Sequence, residues 1–133
     1  MAKVKLSRVS GLLFLDIGLW SSKESKYRNM AIMLDTGASV TTISEYILSS
    51  LGYTKPGKPI LVTTAGGTVK VHTESVERIK IGAIEIENVD VYSYTFPDEC
   101  FSDGVLGMNV LNQFNFKVDL DAQVIELEAR RIT

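Results

Sequence analysis

Cysteine, histidine and tryptophan each occur once in this 133-residue chain, as Cys100, His72 and Trp20, and proline occurs three times. A single cysteine cannot close an internal disulfide, which excludes a disulfide-stapled secreted scaffold. One His and one Cys cannot build a structural zinc site, and no glycine-rich phosphate loop or dinucleotide fingerprint is present. No metal and no cofactor are therefore expected. Charge of one sign is lacking too: 14 Lys and Arg stand against 16 Asp and Glu, a net charge of -2. That balance offers no basic footprint for nucleic acid or an anionic membrane surface. Long hydrophobic runs are also missing. The stretch from Gly11 to Trp20 is broken by Asp16 and is too short to span a bilayer, and no small-residue cleavage site follows it. The simplest expectation is a cytoplasmic protein, although a domain cut from a larger chain would carry the same features.

What remains is ordinary for a globular protein: 45% hydrophobic and 23% charged residues. The length suits one domain, residues 1–133, with a substantial core. Strand signals dominate, and turn signals recur about every ten residues. The first strands are expected at Val4 to Val9 and Leu12 to Leu19, with the polar run Ser21 to Asn29 as an exposed hairpin loop. Ala31-Ile32-Met33-Leu34 reads as a strand buried on both faces. A capping-box pattern, Thr42-x-x-Glu45, predicts a helix over Thr42 to Leu51. Ile43, Ile47, Leu48 and Leu51 share its face, and Gly52 stands at its end.

Further strands are expected at Ile60 to Thr63, Thr68 to Thr73, Val76 to Ile81 and Ile84 to Val91. The glycines of Thr64-Ala65-Gly66-Gly67 suit a tight turn, and Gly82-Ala83 suits another. The shift from Ile84 and Ile86 to Val89 and Val91 predicts a bulge near Asn88. After a loop from Thr95 to Gly104, Met108 to Phe114 reads as a short helix. Phe114 to Asp119 and Val124 to Leu127 form a closing hairpin. The total is about nine strands and two helices.

Asp35 is the residue with the strongest chemical context. Asp35-Thr36-Gly37-Ala38-Ser39 follows an apolar strand and precedes a helix signal, so its carboxylate would be held at the end of a core element. Local sequence alone fits two readings equally: a turn aspartate or a catalytic carboxylate. Three further features follow in order: the glycine hairpin Thr63 to Thr68, the strand Val76 to Ile81, and Gly104-Val105-Leu106-Gly107 leading into Asn109.

In that order the features resemble the retropepsin-like aspartic proteases, including single-domain bacterial members, from about Leu12 to Leu127. The resemblance implies a mostly-β fold: a closed β-barrel of the retropepsin type with two short helices. It also implies an aspartic endopeptidase in which two carboxylates share one proton. One activates water and the other protonates the scissile carbonyl. The chain has one Asp-Thr-Gly, which Asp103-Gly104 does not reproduce, so the implied enzyme is a homodimer on a peptide or protein substrate. Asp35 would be catalytic, with Thr36, Gly37 and Ala38 supporting its loop. Thr36 would brace the partner loop, and the Gly37 carbonyl would meet substrate backbone. Thr64, Ala65, Gly66 and Gly67 would form a flap tip over the substrate. Val105, Leu106 and Gly107 would pack beneath the Asp35 loop as core, and Asn109 would bond nearby backbone or cap the following helix.

Two departures stand out. Retroviral members usually carry Asp in place of Ser39 and Arg in place of Met108, an ion pair near the dimer contact that this chain cannot make. The terminal hairpin resembles bacterial members, so interleaved terminal strands are not assured. Ala38 lacks the hydroxyl that many pepsin-type relatives direct at the carboxylate, which predicts activity extending to mildly acidic or near-neutral pH. A non-catalytic peptide-binding or dimerisation module, and a regulated processing protease within a complex, are the alternatives. His72 reads as a surface residue. Cys100 has acidic neighbours that disfavour a thiolate. Asp119 and Asp121 flank a turn without calcium-loop spacing. Trp20 and Tyr27 are candidates for a substrate groove.

Overall fold

A computed structural model describes residues 2–54, 57–97 and 102–130. Cys100 lies outside the described residues. The fold is mostly β, with eleven strands and two short helices among the described residues. The strands are β1 (Ala2–Lys5), β2 (Ser7–Val9), β3 (Leu12–Ser21), β4 (Lys26–Leu34), β5 (Thr42–Ser44), β6 (Pro59–Thr64), β7 (Gly67–Ile81), β8 (Ile84–Tyr94), β9 (Gly104–Leu106), β10 (Phe114–Asp119) and β11 (Val124–Ala129). Helix α1 is Glu45–Ser50 and α2 is Met108–Leu111.

One sheet runs β2-β3-β4-β9-β5-β8-β7-β6, and a further pairing of β3 with β7 joins Gly18 to Lys80 and Leu19 to Ile79. That pairing makes a closed ring of β3, β4, β9, β5, β8 and β7, which leaves β6 as an arm outside it. A three-stranded sheet, β1-β11-β10, completes the molecule. Apolar residues from both sheets meet in one core, in which Ile32, Ile43, Leu51, Val76, Ile79, Leu106, Val110 and Ile125 are wholly buried.

Several local expectations are corrected. The run Ser21 to Asn29 is not all loop, because β4 starts at Lys26 and pairs with Ser21. Its first residues are polar because that end of the strand faces solvent, so composition hid a regular ladder. Ala31 is exposed and only Ile32 of the Ala31-to-Leu34 run is buried, so the strand is not covered on both faces. The helix expected from Thr42 begins at Glu45. Thr42 and Ile43 are strand residues bonded to both β8 and β9, and Ser44 caps α1 without a side-chain hydrogen bond. Pairing on two sides outweighs a capping pattern worth about 1 kcal/mol. Gly52 does stop the helix, with φ +105°. The segments Thr68 to Thr73 and Val76 to Ile81 are one strand, because Glu74 and Ser75 both pair with β8.

The bulge near Asn88 takes another form. Val76 pairs with Val89 and Arg78 with Glu87, so no residue is inserted in either strand. Both strands change their buried phase together, from Val76 to Ile79 and from Ile86 to Val89. Between them Asn88 adopts φ +53°. The Glu77 N–H turns instead to the Tyr53 hydroxyl at 3.2 Å, and that hydroxyl donates to the Trp20 carbonyl at 2.6 Å. Burial pushes the Tyr53 phenol above its ordinary value, keeping the donor protonated.

Asn tolerates the left-handed region better than a side chain without a local polar group. Asn88→Ala should therefore lose about 1 kcal/mol of stability, while Asn88→Gly should not. Urea unfolding of the two variants checks this, and equal loss in both would place the cost elsewhere.

Candidate active site

Asp35 emerges at the end of β4, and the chain returns seven residues later as β5. Between these two strands lies β9, parallel to β4 through Met33–Val105 and Leu34–Leu106, and antiparallel to β5 through Thr42–Val105 and Ile43–Gly104. The Asp35 loop thus passes around the end of a strand threaded through it. The Asp35 N–H extends the parallel ladder to Leu106 O at 3.2 Å.

Close approach explains the glycines of this strand. A Cβ on Gly107 would lie 2.7 Å from the Val40 carbonyl carbon and 2.9 Å from both Ala38 O and Thr41 N. A Cβ on Gly104 would lie 2.9 Å from Thr42 O. Backbone contacts this short leave no room for a methyl group.

Within the loop, Asp35 is half-buried, and its Oδ1 accepts from Gly37 N–H at 2.9 Å. Ala38 N–H donates to Asp35 O at 3.3 Å, closing the turn. Thr36 and Gly37 are exposed at its crest. Met108 and Asn109 N–H groups at the start of α2 donate to Ala38 O at 2.8 Å and Ser39 O at 3.1 Å. Where an ion pair was expected to be missing, Ser39 and Met108 are still joined to the site through their backbone.

Thr41 carries more of this arrangement than its sequence context suggests. It is completely buried, and its hydroxyl donates to Asn109 Oδ1 at 2.8 Å while accepting from Gly107 N–H at 3.0 Å. Thr41 N–H also donates to Asn109 Oδ1, at 2.8 Å. Two donors on that oxygen orient the amide, so Nδ2 is free to donate to Asp90 O at 2.7 Å. Asn109 therefore bonds backbone on both sides rather than capping α2, whose N-cap is Gly107. No periodicity marks Thr41; only its spacing from Asp35 and the presence of Asn109 could have suggested it.

The arm β6–β7 reaches over the loop. Its tip is a turn at Ala65 and Gly66 between Thr64 and Gly67, with Thr64 Oγ1 donating to Gly67 O at 2.8 Å. Of the two glycines Gly67 takes positive φ, +119°, and Gly66 does not. Asp35, Gly37 and Ala38 on one side and Thr64, Ala65 and Gly66 on the other line a single cleft of about 830 Å³. Val105 also faces this cleft instead of packing as core, while Leu106 is wholly buried.

Other candidates lie elsewhere. His72 is half-buried, with Nδ1 3.2 Å from Gly57 O, and does not line the cleft. Trp20 and Tyr27 do not line it either. They pack edge to face at 5.2 Å, and the Arg78 guanidinium sits 4.1 Å from the Trp20 ring centre. Asp119 Oδ1 accepts from Ala122 N–H within the closing turn. Among the described residues no group of acidic, His or Cys side chains could hold a metal ion, and no helix is long and apolar enough to cross a membrane.

A family model described as aspartyl protease matches residues 26–110, which span β4 through α2. The chain belongs to the aspartyl protease family. Among solved structures it is similar to a retropepsin-like aspartic protease from Rickettsia conorii, at 22% identity and a TM-score of 0.68, covering 95% of this chain and 88% of that one. It is also similar to the EIAV protease complexed with the inhibitor HBY-793, at 17% identity and a TM-score of 0.57, covering 80% of this chain and 90% of that one. No curated protein matches its sequence. The fold of this family member is thus retropepsin-like.

Removing the Thr41 hydroxyl leaves the buried Gly107 N–H without its acceptor, at a cost of about 1–3 kcal/mol. Thr41→Val should fall by that amount in chemical unfolding, and Thr41→Ser should keep most of the stability. A Thr41→Val protein as stable as the wild type would show that the bond network does not hold the loop.

Proposed function

We propose that the protein is an aspartic endopeptidase whose active form is a homodimer, each copy contributing one Asp35 to a shared site. The observation that carries this reading is the cleft in which Asp35 and the Thr64–Gly66 tip face one another. Family membership supplies the reaction class.

The chemistry requires two carboxylates close enough that only one is ionised. The ionised Asp35 removes a proton from water as the oxygen attacks the scissile carbonyl carbon. The protonated Asp35 of the second copy donates to the carbonyl oxygen. Collapse of the tetrahedral species breaks the C–N bond as the first Asp35 passes the proton it took from water to the departing nitrogen. The second Asp35 takes a proton back from a hydroxyl of the intermediate. No covalent bond to the protein forms. Gly37 N–H on Oδ1 and Asp35 N–H on Leu106 O hold the carboxylate in place before substrate arrives.

Thr36, exposed on the loop crest, is positioned to brace the second copy's loop, and the exposed Gly37 offers its carbonyl to substrate backbone. The tip Thr64, Ala65, Gly66 and Gly67 serves as a flap that closes on an extended peptide. Val105 lines the cleft wall; Leu106, Gly107 and Asn109 hold the Asp35 loop from beneath.

Asp35→Asn keeps an oxygen for the Gly37 N–H and should leave the fold intact while abolishing cleavage in a peptide-library digestion. Unchanged cleavage would sink the mechanism, and peptide binding without cleavage by the wild type would favour a binding module instead.

Ala38 carries no hydroxyl to favour the ionised carboxylate. The wild type should cleave at mildly acidic to near-neutral pH, and Ala38→Ser should move the acidic limb of the rate profile to lower pH. The sign follows because a donor to the charged form keeps the base ionised to lower pH. A wild-type optimum near pH 2–3 with little activity at pH 5–6, roughly the pepsin range, would count against it.

A further inference from the structure

Val40 and Tyr92 line the cleft that holds Asp35, and the same two residues also line a second cavity of about 680 Å³. The two spaces therefore meet across one shared wall. Strand register sets the distance between them. Met33, Val105, Thr42 and Tyr92 form a single cross-strand row over β4, β9, β5 and β8. Strand β8 runs opposite to β4, so two residues forward from Met33 to Asp35 and two residues back from Tyr92 to Asp90 end at the same level of the sheet.

Asp90 thus stands three strand spacings to the side of Asp35, about 14 Å along the sheet at about 4.8 Å each. An extended peptide advances about 3.3 Å per residue and covers that span in about four residues. The loop from Asp35 to Val40 runs in the same sense, from the end of β4 around β9 toward β5. A peptide lying along this loop leaves the cleft over Val40 and Tyr92 and enters the second cavity.

The charge changes across that wall. Glu87 and Asp90, both exposed, line the second cavity, and among the described residues no cation does. Among the described residues neither carboxylate takes part in an ion pair. The cross-strand partner of Glu87 is Arg78, but its guanidinium is turned to the Trp20 ring, 4.1 Å from the ring centre. A long basic side chain suits such a space. Its methylene stem packs on Val40 and the Tyr92 ring while its charged head reaches the carboxylates. An arginine can also stack on the ring itself.

We infer that the second cavity is an outlying subsite of the substrate path, taking a lysine or arginine about four residues from the scissile bond. The inference rests on the proposed endopeptidase and deepens it by naming a substrate class. That class is an extended peptide, uncharged where it crosses the cleft and basic at its outer positions. The twofold axis of the proposed homodimer repeats the cavity at the other end of the path, so a basic residue is selected on both sides of the bond.

A peptide library with Leu-Phe at its centre and Lys, Gln or Glu at each outer position tests this. With Lys about four residues from the scissile bond, kcat/KM should be about five- to tenfold higher than with Glu there, the size expected of two exposed charge pairs. The preference should shrink at high salt. Glu87→Gln combined with Asp90→Asn keeps the shape of both side chains. It should abolish the preference while cleaving the Gln peptides at the wild-type rate. Equal rates for Lys and Glu, or a preference untouched by the double variant, would overturn the inference. So would Lys favoured equally at every position, which would reflect only the net charge of -2.

Binding separates the subsite from the chemistry. In fluorescence anisotropy with Asp35→Asn, labelled Lys peptides should bind more tightly than Glu peptides by a similar factor, and adding the Glu87→Gln and Asp90→Asn changes should remove the difference. Cleavage that survives Asp35→Asn beside this binding pattern would overturn the catalytic reading and uphold the subsite. A preference on one side of the bond alone would overturn the twofold site and uphold the cavity's role. Peptide binding by neither protein would overturn both.

Discussion

The passage of β9 between β4 and β5 is the constraint on which the rest of the structure depends. A strand of three residues, Gly104–Leu106, is bonded on both sides, and the loop bearing Asp35 must bend around its end. The bend is tight because Gly107 touches loop backbone at distances that no side chain allows. Loop and strand then hold each other. Asp35 N–H bonds Leu106 O, Gly107 N–H bonds Thr41 Oγ1, and the first turn of α2 donates to Ala38 and Ser39. The same threading joins β4 to β5 within the ring that closes through β3 and β7. Closing the barrel and positioning the carboxylate are one structural event.

Much of the candidate site's geometry was legible in the sequence because it depends on short segments with distinctive residues. Asp35 after an apolar strand, the Thr64–Gly67 turn and the Gly104–Gly107 run each have a local signature, and the cleft brings the first two face to face. The errors came where pairing from distant segments decides the outcome. Thr42 and Glu45 match a capping box, but Thr42 is claimed by Tyr92 of β8 and Val105 of β9, 50 and 63 positions away. Lys26 to Asn29 look like loop because that part of β4 faces solvent, and a ladder to β3 is not visible in composition. Near Asn88 the phase shift was visible in one strand. Its cause was not, since β7 turns with β8 and Tyr53 accepts the displaced N–H. Thr41 was missed for the same reason: its role is defined by Asn109 and Gly107, 68 and 66 residues away.

The cleft has a chemical character of its own. Apart from Asp35 it is lined by uncharged groups, including Val62, Val69, Tyr92, Tyr94 and Phe96. Tyr94 and Phe96 meet edge to face at 5.2 Å within that lining. Among the described residues Asp35 is the one charged residue in the lining, and Gly37 N–H donates to its Oδ1. In the proposed homodimer two such carboxylates would sit together by sharing one proton, the proton that the proposed reaction uses.

The proposed homodimer asks that each half-site be ordered before the halves meet. The bonds that fix Asp35 satisfy that condition, since Gly37 N–H, Leu106 O and the Thr41–Asn109 pair all belong to the same chain. Docking therefore need not supply free energy to order the loop, and a smaller interface suffices. The terminal sheet β1-β11-β10 is likewise formed within one chain. Val4, Ile125 and Leu127 of that sheet, and Leu6 next to it, are buried in the chain's own core.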